Sequence, residues 1–72
     1  MANEPDSRVS GSIRCYYPLK GFGFIRRSKG KDVFFYRSDA SGEEILLDGA
    51  QVSFILREEQ KGPRAFDIER IG

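Results

Sequence analysis

Apolar side chains recur along this chain in short alternating runs. No stretch of ten or more residues holds a helical apolar period. The pattern predicts five strands, over residues 9–17, 21–27, 32–37, 50–58 and 64–71. In the first, Val9, Gly11, Ile13, Cys15 and Tyr17 share one parity. Pro18 ends that run, because it has no N–H to give to a ladder. Residues 28–31 form a polar turn in which Gly30 is free to take a positive φ. In the fourth strand Val52, Phe54 and Leu56 alternate with Ser53 and Arg57. Residues 59–63 read as a turn, and the fifth strand carries Phe66 and Ile68 as its apolar positions. The connection over 38–49 is polar apart from Ile45, Leu46 and Leu47, a cluster expected to plug one end of the core.

Five short strands with regular turn signals predict an all-β fold. At 72 residues there is room for one core only. The expected architecture is a five-stranded antiparallel OB-type barrel, since closure removes the edges an open sheet would expose. Residues 1–8 are expected to be a flexible N-terminal tail and residues 9–72 the folded domain.

The densest signal is Lys20-Gly21-Phe22-Gly23-Phe24-Ile25, followed by Val33-Phe34-Phe35-Tyr36. Alternation puts Phe22 and Phe24 on one face of their strand and Gly23 and Ile25 on the other. If the two strands pair around Gly30, then Phe22, Phe24, Phe34 and Tyr36 make one aromatic patch, with Ile25, Val33 and Phe35 facing the core. Glycines between the rings cost strand stability, and Gly21 and Gly23 are expected to give room for flat rings and an approaching chain. Rings on a sheet flanked by Lys20, Arg26 and Arg37 suit single-stranded nucleic acid, with bases stacking and cations meeting phosphates. The opposite parity stays open at this level: Phe22 and Phe24 could fill the barrel, at the cost of exposing Ile25, Val33 and Phe35.

Composition narrows the chemistry. There is no histidine and a single cysteine, Cys15. That excludes a disulfide, leaves no usual zinc ligand set, and removes the commonest general base. Glu43-Glu44 and Glu58-Glu59 read as solvated turn residues rather than catalytic carboxylates. Gly21-Phe22-Gly23 is not followed by a helix, so a phosphate-cradling glycine loop is not expected. No apolar run reaches membrane-span length and residues 1–10 lack a signal-peptide core, so a cytoplasmic protein is expected. Net charge is only +1, from 12 basic and 11 acidic side chains. The distribution is uneven: between Arg8 and Arg37 only Asp32 opposes the basic residues, whereas between Asp39 and Glu59 acids dominate. Such asymmetry points to a basic face with a polyanionic partner, or to two solvated faces in balance.

At these residues the sequence resembles the cold-shock domain of bacterial cold-shock proteins and Y-box proteins, from about Val9 to Ile71. Lys20-Gly21-Phe22-Gly23-Phe24-Ile25 is similar to the family's first ribonucleoprotein motif, and Asp32-Val33-Phe34-Phe35-Tyr36 to the second. Lys61-Gly62-Pro63-Arg64-Ala65 resembles the turn into its last strand, and Leu47 to Phe54 the entry to its fourth. The resemblance implies an OB-type barrel that binds single-stranded DNA and RNA with little sequence preference. It implies stacking on Phe22, Phe24 and Phe34, and polar contacts from Lys20 and Asp32. Arg14 stands where the family has a lysine near the backbone path, and Lys61 lies on a loop whose basic residue touches ligand.

The departures are specific. Cys15-Tyr16-Tyr17 replaces the family's tryptophan-phenylalanine-asparagine, so a stacking platform is missing, and Tyr17 is the nearest ring that could restore it. Tyr36 replaces a histidine and still stacks. Arg37 replaces a ring with a planar cation that can stack or pair with phosphate. The aromatic of the following loop is absent, with Glu43 or Glu44 about there, and an acid near the path would repel phosphate. The expectation is a non-enzymatic, cofactor-free, metal-free monomer that binds single-stranded RNA or DNA as a nucleic-acid chaperone or a regulator of transcription or translation. Stacking is assigned to Phe22, Phe24, Phe34, Tyr36 and Tyr17, and polar or phosphate contact to Lys20, Arg14, Arg37, Lys61 and Asp32. Binding is expected to be weaker and more salt-dependent than in typical members. The other reading is a barrel turned to protein–protein contact, which the Tyr16–Tyr17 pair and low net charge would suit.

Overall fold

The computed structural model describes residues 8–72. Five strands, β1 (Arg8–Tyr17), β2 (Phe22–Arg26), β3 (Val33–Tyr36), β4 (Gln51–Glu59) and β5 (Gly62–Arg70), close into a barrel in the order β1-β2-β3-β5-β4. Single 3₁₀ turns at Arg37–Asp39 and Glu43–Ile45 fill the connection between β3 and β4. The expected five-stranded barrel is present. It is mixed rather than purely antiparallel: β3 meets β5 in parallel at Phe34 and Arg64, because the chain crosses one end of the barrel between them. Of the tail expected over residues 1–8, residues 1–7 lie outside the described residues, and Arg8 instead opens β1 and donates to Ser53 and Asp67. No helix among the described residues is long and apolar enough to cross a membrane.

The core is built from alternate positions of all five strands. Ile25, Val33, Phe35, Val52, Phe54, Ala65 and Ile68 are fully enclosed, and Ile13 nearly so. Ile45 and Leu46 close one end, whereas Leu47 points outward at 60% exposure, so only two of the three expected plug residues act. Ile25, Val33 and Phe35 facing inward settle the parity of β2 and β3, and Phe22, Phe24, Phe34 and Tyr36 lie outside.

Two irregularities set the rest of the surface. The β1–β2 register breaks between Ile13 and Cys15, where Arg14 is the extra residue. There the Ile13 N–H donates to the Ala50 carbonyl at 2.9 Å, and the Gly49 N–H donates to the Ile13 carbonyl at 2.7 Å. A bulge of this kind reverses side-chain parity beyond it. Ile13 therefore faces the core while Cys15 and Tyr17 face outward, contrary to the single parity expected for this strand. A second break lies between Ser53 and Ile55 of β4, opposite Asp67, whose φ is 54°. It sends Phe66 outward and Ile68 inward, although both share one parity in the sequence.

Gly23 was expected to make space for a ligand. It is buried on the inner side instead, where an added Cβ would lie 2.8 Å from Phe35 Cζ and 2.9 Å from Tyr16 Cα, and would overlap the Cys15 carbonyl oxygen. Its missing side chain lets β1 approach β2 over the Phe35 ring. Gly21, at φ 78°, ends the β1–β2 turn with its N–H donating to the Tyr17 carbonyl at 2.8 Å.

Candidate functional site

The β2–β3 register pairs Phe22 with Tyr36 and Phe24 with Phe34, and the β1–β2 register sets Tyr17 against Phe22 and Cys15 against Phe24. Paired residues share a face, so one surface carries all five rings assigned to stacking from the sequence. They form a continuous path: Tyr17–Phe22 at 5.4 Å, Phe22–Phe34 at 5.5 Å, Phe24–Phe34 at 5.7 Å and Phe34–Tyr36 at 4.8 Å between centroids. Most meet edge-on or tilted, which leaves ring faces turned toward solvent at different angles. Tyr17 and Tyr36 are each 45% exposed, and the three phenylalanines are half-buried.

A cleft of about 590 Å³ opens at one end of this surface, with Phe24, Phe34 and Tyr36 on one side and the Glu59-to-Arg64 turn on the other. Lys61 stands on that turn. Lys20 sits in the β1–β2 turn two residues before Phe22, and its N–H donates to the Tyr17 carbonyl at 3.0 Å. Neither lysine forms a salt bridge among the described residues, so both keep their charge at opposite margins of the rings.

The remaining polar candidates are engaged with acids or with backbone. Arg14, on the bulge, and Asp32, just before β3, are joined at 3.3 Å. Arg37 donates to the Pro18 carbonyl at 3.3 Å and lies 3.8 Å from Glu43. Glu43, expected to repel phosphate, also accepts a 2.7 Å bond from the Tyr16 hydroxyl. The acid is thus tied down, and its charge is partly met by Arg37. Desolvation, then the bond to Glu43, raises the Tyr16 pKa above the ordinary 10.0. Hydrogen bonding with Cys15 likewise raises Tyr17. Both phenols are neutral near neutral pH, and Tyr17 presents no negative charge to a phosphate.

Sequence reasoning missed Arg64 and Phe66. The Asp39 carboxylate accepts from the Tyr36 N–H at 3.0 Å and from Arg64 Nη2 at 3.0 Å, with the two side chains only 11% and 25% exposed. This arrangement stitches the end of β3 to β5. It also holds the Arg64 guanidinium 4.6 Å from the Tyr36 ring centroid and 4.3 Å from that of Phe66. Arg64 lay inside a quoted motif and could have been found there. Phe66 was hidden by the bulge at Asp67, which strict alternation does not anticipate.

A profile of the 'Cold-shock' DNA-binding domain matches residues 9–71. The chain is 38% identical over 65 residues to the Major cold shock protein of Streptococcus pyogenes, covering 88% of this chain and 97% of that one. It is 37% identical over 67 residues to Cold shock protein CapB of Pseudomonas syringae, covering 90% and 97%. The solved structure of drosophila Unr CSD456 superposes with a TM-score of 0.79 at 20% identity, over 94% of this chain and 28% of that longer one. That last likeness concerns the fold alone, while the extent of the sequence matches shows that the chain belongs to the cold-shock DNA-binding domain family.

Proposed function

We propose that this protein binds single-stranded RNA or DNA by stacking bases on Tyr17, Phe22, Phe24, Phe34 and Tyr36. Lys20 and Lys61 take the phosphates at either margin, and Arg14 and Arg37 exchange their acid partners for the strand. The observation that carries this reading is the unbroken path of five outward rings, with centroid steps between 4.8 and 5.7 Å. Each ring is positioned by ladder register rather than by a loop, so the surface needs little ordering on binding. The action is passive and non-catalytic. A bound strand cannot pair, so weak hairpins melt by mass action, which suits a nucleic-acid chaperone or a regulator of transcription or translation.

The test is fluorescence anisotropy with a labelled oligothymidine of about seven bases, inside the usual OB site range. A duplex and a Phe24→Ala variant serve as controls. Saturable binding that fails on the duplex and weakens in the variant is expected. Equal binding of duplex and single strand, or an unaffected Phe24→Ala variant, would remove the stacking mechanism.

A further inference from the structure

The outer surface does not end at Tyr36. Arg57 on β4 pairs in register with Arg64 on β5, and Phe66, two residues after Arg64 in unbroken register, lies on the same side. The Arg57 guanidinium lies 5.5 Å from the Phe66 centroid, and Arg64 lies 4.3 Å from it. Rings and cations therefore alternate outward from the aromatic face in the order Tyr36, Arg64, Phe66, Arg57. The two arginines differ in what they can offer. Arg64 is neutralised by Asp39 and its Nε is buried without a hydrogen-bond partner, so it acts as a fixed spacer between two rings. Arg57 is exposed and forms no salt bridge among the described residues. A large apolar ring placed on an outer strand face beside an uncompensated cation is the pairing that a nucleotide uses, base on ring and phosphate on guanidinium.

We propose that Phe66 and Arg57 form an additional nucleotide subsite, carrying a single strand past Tyr36, over Arg64 and onto β4. This rests on the function proposed above and extends its binding path by one or two nucleotides. Arg57 is the more loosely placed neighbour of the ring. It swings toward the phosphate as a base settles against Phe66. Glu59, on the same face of β4 nearer the turn, keeps phosphates on the Arg57 side.

The experiment compares oligothymidines of increasing length on the wild type, Phe66→Ala and Arg57→Gln, by anisotropy at fixed and varied salt. The wild type should tighten about fivefold or more once the strand outgrows the five-ring face. Both variants should bind the shorter strands as the wild type does and lose that increment. Arg57→Gln should also lower the salt slope by about 0.7, on the longer strands only. Arg57 is exposed, so its variant keeps the test sound even if Phe66→Ala unfolds. A retained increment in both variants, or an equal loss at every length, would overturn the subsite alone. Failure of the wild type to bind any length would overturn the stacking function and the subsite with it.

Discussion

Cys15 lies directly opposite Phe24 on the outward face, at the position where cold-shock domains are expected to carry a tryptophan. A thiol cannot stack, and base–aromatic stacking is worth about 1–3 kcal/mol per base. Cys15→Trp is therefore expected to tighten single-strand binding by about tenfold, read by anisotropy. Phe24→Ala is expected to weaken it by about 1–3 kcal/mol with little loss of stability, because that ring lies outside the core. Tyr16 behaves differently, since its ring packs against Phe35 at 6.2 Å and its hydroxyl holds Glu43. Its pKa is raised on folding, so its stabilising contribution is complete below the ordinary value of 10.0 and is lost as pH rises through the raised value. Thermal melts carried from neutral into strongly alkaline buffer should show that loss in the wild type and a weaker one in Tyr16→Phe. Which residues of β2 and β3 share a face was legible in the sequence through period-2 alternation and the Gly30 turn, whereas which face turns outward was settled by the burial of Ile25, Val33 and Phe35. The engagement of Arg14, Arg37 and Glu43 was not legible in the sequence, because ion pairs between distant segments leave no mark on local pattern.

Strand register decides which of those side chains share a surface. The bulge at Arg14 gives β1 two parities, one for the core up to Ile13 and one for the rings from Cys15 to Tyr17. The bulge at Asp67 does the same for β5. Both escape a reading by alternation, since a single inserted residue has no composition of its own. That is why alternation gave Ile13 the parity of Cys15 and Tyr17 and did not separate Phe66 from Ile68, while in β2 and β3, which contain no bulge, the residues it grouped together do share a face. Gly23→Ala should destabilise the fold by about 1–3 kcal/mol in urea unfolding, because backbone on the β1 side leaves no room for a methyl group. Asp39→Ala should cost about 2–4 kcal/mol by stranding the mostly buried Arg64 charge. Adding Arg64→Met to that variant should recover part of the loss, an outcome that a role for Asp39 confined to the Tyr36 N–H would not produce.

The whole molecule spreads a near-neutral charge unevenly. Arg8, Arg14, Arg37 and Arg64 are each matched by an acid, whereas Lys20 and Lys61, beside the rings, form no salt bridge among the described residues. The basic first half seen in the sequence is thus partly cancelled by folding, and Arg26, Arg27, Lys29 and Lys31 also form no salt bridge among the described residues. Affinity should fall with salt at a slope of about 0.7 per phosphate contacted, and Lys20→Ala or Lys61→Ala should each remove about one such contact. Closure of the barrel leaves the outer faces of β2 and β3 as a continuous platform, and the most direct measurement is where on that barrel a strand sits. Titrating isotope-labelled protein with a short oligothymidine, followed by amide chemical shifts, answers it. Perturbations concentrated at Tyr17, Lys20, Phe22, Phe24, Phe34, Tyr36 and Lys61 are predicted, with the opposite wall around Arg8, Ser53 and Glu69 unchanged. Shifts confined to that opposite wall, or none at saturating strand, would contradict stacking on the aromatic face.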